Sequence, residues 1–403
     1  MVSILSYLFG FSCLLWYGRA GLPVALPDVF LACLLPFALR NWLQRKAEVH
    51  LWLNRGYYLV LLGLCWATVS CAAAMGLGGG LLKACQLGWY LLAGPFVVAM
   101  LPEERGRMMK GLAIGLVVNA IAACVMPFWG TIGGPCGGLM VSRTGFGIGM
   151  AIALSLLLLR DALPLAWVTA PWGSVALMLC GLSLSGLSGI VLCCLAIAMS
   201  YRNGFIIRER QLHLAPFLAA VLLMLLISPA RRAALVDCVT PSEATELSEA
   251  SPRRWVQERI CAWRAIKDSP CFGFGPGQYQ ATVGMARFRG RFPRPNETKV
   301  ELNTQDGWQV VSVEYGFVAA VLIAAGFIIL FLNSLRRKDV IPDAARIGIF
   351  LFLGMFFTPL LVKGAGMLVA LALGMMLQAK QQAAVAAVAE KAETSAEAKV
   401  APS

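Results

Sequence analysis

The sequence predicts an all-α polytopic membrane protein with about twelve transmembrane helices and one long loop that contains short helices. Of its 403 residues, 59% are hydrophobic and only 14% are charged, whereas soluble domains carry about 25% charged residues. Apolar runs of roughly 18 residues or more recur along the chain, and each is long enough to cross a hydrocarbon core as a helix. Composition and run length therefore agree on the fold class.

The apolar runs divide the chain into four parts. Helices one to nine lie within 1–229, a polar loop covers 230–308, helices ten to twelve lie within 309–379, and a tail covers 380–403. The tail is rich in Ala, Glu and Lys, and we expect it to be cytoplasmic and either a frayed helical extension or disordered. The predicted helices run near 1–18, 24–39, 56–76, 80–100, 109–129, 143–159, 164–182, 186–201, 212–229, 309–333, 345–362 and 364–379.

Lysine and arginine are distributed in a way that predicts the orientation. The net charge is +13, and cytoplasmic loops of membrane proteins carry an excess of these residues. Every even-numbered predicted loop is basic, whereas the short odd-numbered loops carry little beyond Arg19 and Arg143. Both termini are therefore expected in the cytoplasm. The long loop after helix nine is expected outside, which in a bacterium is the periplasmic face.

Cysteine and histidine give no metal-ligand pattern. Most of the 13 cysteines fall inside apolar runs, where Cys behaves as a small hydrophobe. Cys261 and Cys271 lie in the long loop, and their spacing leaves a disulfide open. The two histidines, His50 and His213, lie near neither each other nor a cysteine pair. We therefore predict no metal site.

One part of the long loop has the pattern of a helix. Trp255, Arg259 and Trp263 recur at four-residue spacing, which places them on one helix face. Pro270 ends this helix, because the residue before a proline avoids the α region. The segment from 237 to 251, which precedes the helix, is acidic and rich in Ser and Thr, and we expect it to be flexible.

A glycine-rich turn follows the helix. Backbone N–H groups in such a turn can face an anion, and the alternative interpretation is a compact loop without a ligand. The turn contains Gly273, Gly275 and Gly277.

Five basic residues then form a positive patch on the outer face. The patch is either a solvated loop or a site for a polyanion, since the planar fork of Arg binds two phosphate oxygens at once. Nucleic acid is not expected on this side of a membrane. The patch consists of Arg287, Arg289, Arg291, Arg294 and Lys299.

Four charged residues lie within or at the ends of apolar runs. Intramembrane ionisable groups are costly and are functional candidates by default, although a long side chain near the interface can instead extend its charge into water. By the predicted topology all four lie near the outer ends of helices. They are Lys83, Arg143, Glu314 and Lys363.

The loop and its exit resemble the O-antigen ligase and O-antigen polymerase superfamily. Its members carry an Arg, a Trp-x-Ala, an acidic residue before Pro, and a Gly-x-Gly-x-Gly followed by an aromatic residue. The loop closes on a His-Asn pair, a second aromatic residue and a Glu-x-Gly that opens the next helix. The matching residues are Arg259, Trp263-Arg-Ala265, Asp268-Ser-Pro270, Gly273-Phe-Gly275-Pro-Gly277, Tyr279, Trp308 and Glu314-Tyr-Gly316, and Arg143-Thr-Gly145 resembles a further family segment. The specific motif covers about sixty residues, and the twelve-helix layout matches as architecture.

The resemblance implies a membrane-embedded glycan transferase in a bacterial inner membrane. Such enzymes take a glycan from an undecaprenyl diphosphate carrier at the periplasmic face. Ligases join it to lipid A–core, and polymerases join it to another carrier-linked repeat. The implied partners are the lipid-linked glycan, the lipid A–core or polysaccharide acceptor, and the bilayer. No cofactor, metal or nucleotide sugar is implied.

The chain departs from the family pattern at two places. Gln305 stands where the family keeps a histidine, and Asp306 stands in the place of an asparagine. Glutamine cannot act as a general base near neutral pH. The stretch from Ser183 to Gly189 also lacks the family's Ser-Arg dipeptide. A desolvated carboxylate could replace the histidine, because burial raises its pKa.

The resemblance, together with these two departures from it, predicts the site residues. Asp306, Glu314 and Arg259 are expected to carry catalysis. The residues expected to bind diphosphate or glycan are Arg143, Arg287, Arg289, Arg291, Arg294, Gly273, Gly275, Gly277, Trp263 and Trp308.

Several alternatives stay open. Ligase and polymerase share these motifs. A divergent member acting on another polymer, or binding lipid-linked glycan without transferring it, fits the missing histidine. A secondary transporter is the competing class, but the sequence shows no internal repeat of the helices and no paired broken helices.

Overall fold

The computed structural model describes most of the first 129 residues, much of the long loop and parts of the C-terminal region. The described residues are 1–15, 25–44, 55–75, 84–129, 252–290, 306–335 and 366–375, with Gly149, Ile152, Ala153, Phe352, Met355 and Leu377. These residues form helices and turns, and none of them lies in a strand. The described part of the chain is therefore all-α, as predicted. Apart from the single residues, predicted helices six to nine and eleven and the tail lie outside this part.

The described residues form eleven α-helices, five of them in the N-terminal part, and α4 contains a π-helical segment, Trp89–Ala93. They are α1 Val2–Ser12, α2 Leu26–Gln44, α3 Arg55–Met75, α4 Ala84–Met100 and α5 Arg105–Trp129.

Six further helices follow in the loop and the C-terminal part. They are α6 Pro252–Asp268, α7 Tyr279–Val283, α8 Ala286–Arg289, α9 Gly307–Tyr315, α10 Phe317–Leu335 and α11 Gly366–Met375.

Two of the described helices are long and apolar enough to cross a membrane alone. They are Leu26–Gln44, with 19 residues, and Arg55–Ala74, with 20. The pair formed by Ala84–Met100 and Pro102–Ala122 meets the same criterion together and bends by 85°. Helices of this length and composition indicate a helical membrane protein.

Helices α3 and α10 pack against each other through glycine. A Cβ on Gly63 would lie 2.7 Å from Ile323 Cγ1, and a Cβ on Gly56 would lie 2.8 Å from Leu330 Cγ. Small residues allow this close approach of two backbones. In a membrane, where the hydrophobic effect does not drive helix association, the resulting van der Waals contacts stabilise the pair. The residue numbers of the contacts rise along α3 and fall along α10, so the two helices are antiparallel.

Helices α1 and α5 are parallel and equally close. Gly111 packs against the Tyr7 backbone, and the Asn119 side-chain amide donates to the Leu14 carbonyl at 3.0 Å. Positions along both helices therefore rise together.

Helix α4 lies parallel to both α2 and α11. Its contacts with α11 again use glycine, because a Cβ on Gly366 or Gly374 would collide with a side chain of α4. The residues in contact are Leu31 with Gly94 and Asn41 with Met100 for α2, and Tyr90 with Gly366 and Val98 with Gly374 for α11.

The start of α2 holds a carboxylate that the sequence analysis did not single out. Asp28 is 8% exposed, and its Oδ2 accepts the Ala25 N–H at 2.6 Å. In return the Asp28 N–H donates to the Ala25 carbonyl at 3.0 Å. This reciprocal pairing satisfies N–H groups at a helix start, so the geometry gives Asp28 a capping role.

Candidate functional site

The predicted tenth helix, 309–333, is two helices separated at Gly316. Helix α9 ends at Tyr315 and α10 begins at Phe317. Gly316 has a φ of 90°, a conformation that side chains other than glycine's rarely adopt. A Cβ at this position would also collide with the Cys271 carbonyl. The single continuous helix was therefore a wrong prediction, and the cause is the close approach of the loop.

The glycine-rich turn caps the end of α9. The Phe274 N–H donates to the Val313 carbonyl at 2.8 Å, and the Gly275 N–H donates to the Glu314 carbonyl at 3.0 Å. The last carbonyls of a helix have no partner within it, and here the loop supplies their donors. We call residues 270–275 together with 313–317 the junction. The two halves of the sequence motif thus meet in one structural unit.

Helix α3 holds the junction from the membrane side. The Trp66 indole N–H donates to the Cys271 carbonyl at 2.8 Å, and the Ser70 hydroxyl donates to the Tyr315 carbonyl at 2.8 Å. The Trp66 ring also stacks on Phe272, with centroids 5.5 Å apart and an interplanar angle of 10°. These contacts fix the loop to a membrane helix more than 200 positions away in sequence.

The amides of the turn are engaged by the protein. Gly273, Gly275 and Gly277 all have positive φ, at 64°, 98° and 75°. The Gly273 N–H donates to the Ser269 carbonyl at 3.2 Å, and the amides of Phe274 and Gly275 cap α9 as described. The predicted anion site at this turn therefore has to use groups other than these three amides.

Glu314 lies in the last turn of α9 and is 9% exposed. A carboxylate at a helix C-terminus opposes the helix dipole, so its position needs a compensating donor. The Tyr279 N–H approaches Glu314 Oε1 at 3.4 Å. Glu314 thus accepts one long hydrogen bond from the residue that opens α7, directly after the glycine-rich turn.

Arg259 and Asp306 form an ion pair between α6 and the start of α9. Arg259 Nη2 lies 2.9 Å from Asp306 Oδ2, and the exposed fractions of the two side chains are 35% and 6%. Asp306 Oδ1 accepts the Gln309 N–H at 3.1 Å, which makes Asp306 the N-cap of α9. Burial raises the pKa of the Asp306 carboxyl above its ordinary value, and the Gln309 amide and the Arg259 guanidinium oppose that shift.

Tyr279 and Glu258 belong to the same neighbourhood. Tyr279 is 3% exposed. Burial raises the pKa of its hydroxyl well above the ordinary value, and the carboxylates of Glu258 and Asp306 raise it further. The sequence analysis did not place Glu258 in the site. The available signal was an acidic residue directly before the motif arginine in an otherwise basic helix.

The described part of the basic patch is built into the loop. Arg287 pairs with Asp268 at 3.2 Å, with both side chains about half exposed, and its guanidinium lies 4.4 Å from the centroid of the Phe288 ring. Exposed ion pairs of this kind contribute little to stability. Arg289 ends α8. Arg291, Arg294 and Lys299 lie outside the described residues, as do Lys83, Arg143, Gln305 and Lys363.

The two predicted aromatic ligands differ in their surroundings. Trp308 is 9% exposed, packs against Phe327 and donates its indole N–H to the Phe352 carbonyl at 3.0 Å. Trp263 is 50% exposed and meets Phe317 edge-on at 6.5 Å. Trp263 therefore has a free face for a ligand or for lipid, whereas Trp308 is mainly part of the core.

Cys261 is buried and Cys271 exposed, and both are free thiols. The structure therefore does not contain the disulfide that their spacing left open. Among the residues that the structure describes, no group of three or more His, Cys, Asp or Glu side chains is placed to hold a metal ion.

A comparison with protein-family models finds no match to this chain. A comparison with curated proteins finds none either. The functional argument therefore depends on the residues of the motif and on the geometry of the site.

Proposed function

We propose that the protein transfers a glycan from undecaprenyl diphosphate to lipid A–core, or to another surface-polysaccharide acceptor, at the periplasmic face of a bacterial inner membrane. The observation that carries the proposal is the ion pair between Arg259 and Asp306, 2.9 Å apart. The pair joins the first half of the family-like motif to its exit, beside a glycine turn that caps the Glu314-Tyr-Gly316 segment. A cation and a buried carboxylate are the two groups that such a transfer needs.

The proposed twelve-helix topology, with the N-terminus inside, has α1, α3 and α5 running outward and α2, α4, α10 and α11 running inward. The parallel contacts of α1 with α5 and of α4 with α2 and α11, and the antiparallel contact of α3 with α10, are compatible with these relative directions. In that topology α6 to α9 lie on the periplasmic side, where the lipid-linked donor is presented.

The chemistry follows from the two charged groups. The acceptor hydroxyl oxygen forms a bond to the anomeric carbon, and the bond from that carbon to the diphosphate oxygen breaks. The diphosphate leaves with the electron pair, and an arginine guanidinium stabilises the charge that develops on it. The hydroxyl proton passes to a carboxylate acting as general base.

Both oxygens of Asp306 are engaged in the structure, one by Arg259 and one by the Gln309 amide. An incoming diphosphate competes with Asp306 for Arg259, because phosphate and carboxylate both suit the guanidinium fork. When Arg259 turns to the phosphate, Oδ2 is released. Loss of the neighbouring positive charge also raises the pKa of the buried carboxyl towards the range of a useful base. Donor binding thus prepares the base.

The same pairing supports a second candidate. If Asp306 stays capped and paired, the chain binds the lipid-linked glycan without transferring it. Glu314 is the second carboxylate that we propose as base.

Reconstitution tests the proposal. The protein in nanodiscs is given an undecaprenyl diphosphate-linked glycan together with lipid A–core or with a second lipid-linked repeat. Product on lipid A–core indicates a ligase, and a lengthened lipid-linked chain indicates a polymerase. Glycan profiling of a deletion strain separates the same cases, because a ligase loss removes all long chains and a polymerase loss leaves core with a single repeat. Donor binding with no product with either acceptor would contradict transfer and favour the binding-only alternative.

A further inference from the structure

Helix α6 has a buried face and an exposed face of unusual composition. Its buried face is small and apolar, as expected for a helix packed on α7 to α9. The exposed residues between 257 and 268 recur at helical spacing and combine apolar with charged side chains, instead of being uniformly polar. They are Ile260, Trp263, Arg264, Lys267 and Asp268, and the Asp268 carboxylate pairs with Arg287. An amphipathic stripe of this kind is typical of helices that lie in a membrane interface.

Three exposed aromatic residues extend this stripe toward the membrane helices. Trp263, Phe272 and Phe317 are 50%, 41% and 43% exposed. Trp263 contacts Phe317, the first residue of α10, and Phe272 stacks on Trp66 of α3. The exposed aromatic residues of the loop therefore contact the two apolar helices α3 and α10.

The adjoining surfaces of α3 and α10 are themselves apolar and exposed. Leu62 and Val69 of α3 are 38% and 53% exposed, and Val321 and Ile328 of α10 are 46% and 38% exposed. In a membrane protein, apolar flanks of this kind face lipid. The exposed aromatic residues therefore lie at the edge of a lipid-facing surface.

We propose that Ile260, Trp263, Lys267, Phe272 and Phe317 form an interfacial face that is seated in the headgroup region of the outer leaflet. Its occupant is the lipid bilayer. Trp is enriched at this depth because the ring is apolar and its N–H is polar. Lys267 ends the stripe with a cation that complements the lipid phosphates. The inference depends on the membrane-spanning character of the chain and is independent of glycan transfer.

The backbone next to this face tolerates contact with lipid. A peptide group without a hydrogen-bond partner is costly in hydrocarbon, because no water is present to replace the partner. The Pro270 carbonyl accepts the Phe317 N–H at 2.7 Å, and the Cys271 carbonyl accepts the Trp66 indole N–H. The turn can therefore lie at the membrane surface with these carbonyls satisfied. Seating α6 there also puts Arg259, one helical turn before Trp263, at headgroup depth.

Photo-crosslinking tests the face. Trp263, Phe272 and Ala281 are replaced one at a time by benzoylphenylalanine in the full chain, which is placed in nanodiscs of phosphatidylethanolamine and phosphatidylglycerol and irradiated. Ala281 is an exposed residue of α7 outside the face. Leu332, an exposed residue of α10, serves as the lipid-facing reference. Adducts are identified by mass spectrometry.

We expect lipid adducts at 263 and 272 in yields within a few-fold of those at 332, and at least about tenfold above those at 281. Retention in the membrane fraction checks each variant, and either of the two positions suffices if the other variant fails to fold. Equal yields at 263, 272 and 281 would overturn the proposal. Adducts to a second copy of the chain in place of lipid would also overturn it and make the face a protein interface.

Discussion

Arg259 and Asp306 are 47 positions apart and form a 2.9 Å ion pair that joins the loop helix to the first turn of α9. The pair is asymmetric, because the Asp306 side chain is 6% exposed and that of Arg259 is 35% exposed. The arginine is the partner that solvent or substrate can reach. The first two predictions separate the roles of the two residues.

Arg259→Ala should strongly lower the rate of glycan transfer. Arg259→Lys keeps the positive charge and should lower the yield of protein in the membrane far less than Arg259→Ala lowers transfer. Loss of one charge-assisted phosphate contact costs roughly 1.5–3 kcal/mol, which corresponds to about ten- to a hundredfold in rate. Initial rates in the reconstituted assay measure the effect. Arg40→Ala is the matched control, because Arg40 is an exposed arginine of α2 that lies on the opposite side of the membrane in the proposed topology. A fully active Arg259→Ala protein would make Arg259 a structural residue.

Asp306→Asn should lower the transfer rate by ~10²–10⁴-fold, the range for loss of a general base. A base acts in its ionised form, so wild-type activity should fall as pH drops through the carboxyl pKa. Because burial raises that pKa, the fall should begin at a higher pH than for an ordinary carboxyl group. A pH–rate profile of kcat measures this.

Glu314→Gln and Gln305→His are the companions to that variant. If Glu314→Gln shows the loss and Asp306→Asn does not, Glu314 is the base. If Gln305→His gains activity while Asp306→Asn changes nothing, the substitute-base hypothesis fails. Wild-type rates in all three variants would place the chemistry in the arginine patch.

Gly316→Ala should destabilise the junction. Gly316 has a φ of 90°, and backbone strain of this kind costs a residue other than glycine about 1–3 kcal/mol. A Cβ at this position would also collide with the Cys271 carbonyl. We expect a lower apparent Tm in detergent, followed by size-exclusion chromatography after heating. Gly106→Ala is the control, because a Cβ there meets nothing within 4 Å. Equal Tm values for the two variants would show that the junction can rearrange at no cost.

Arg289 should be accessible from the periplasm and Arg337 from the cytoplasm. The reason is the alternation of basic and non-basic loops, with which the helix directions agree. Single cysteines at the two positions, in a chain without its native cysteines, are treated in intact cells with a membrane-impermeant thiol reagent. Labelling at 289 alone is expected. Equal labelling would contradict the helix count or the orientation.

The features that the sequence predicted correctly are local. The composition and the apolar runs indicated an all-α membrane protein, and α6 was expected from the spacing of Arg259 and Trp263, with its end before Pro270. The structure confirms this helix as Pro252–Asp268. Such features depend on hydropathy and backbone preference within a few residues, so the neighbouring sequence suffices to determine them.

The arrangement of the site was decided by tertiary structure. No spacing in the sequence indicates that the glycine turn caps α9, that Gly316 breaks a predicted helix, or that Tyr279 lies near both Glu258 and Asp306. Each depends on hydrogen bonds between segments far apart in the chain, as with the Phe274 amide and the Val313 carbonyl. The sequence by itself determined which residues carry charge and which segments are apolar enough to enter a membrane, because transfer free energies act on each segment separately. Only the packed chain decided which charges meet, because a buried carboxylate such as Asp306 needs its partners brought to it from other segments.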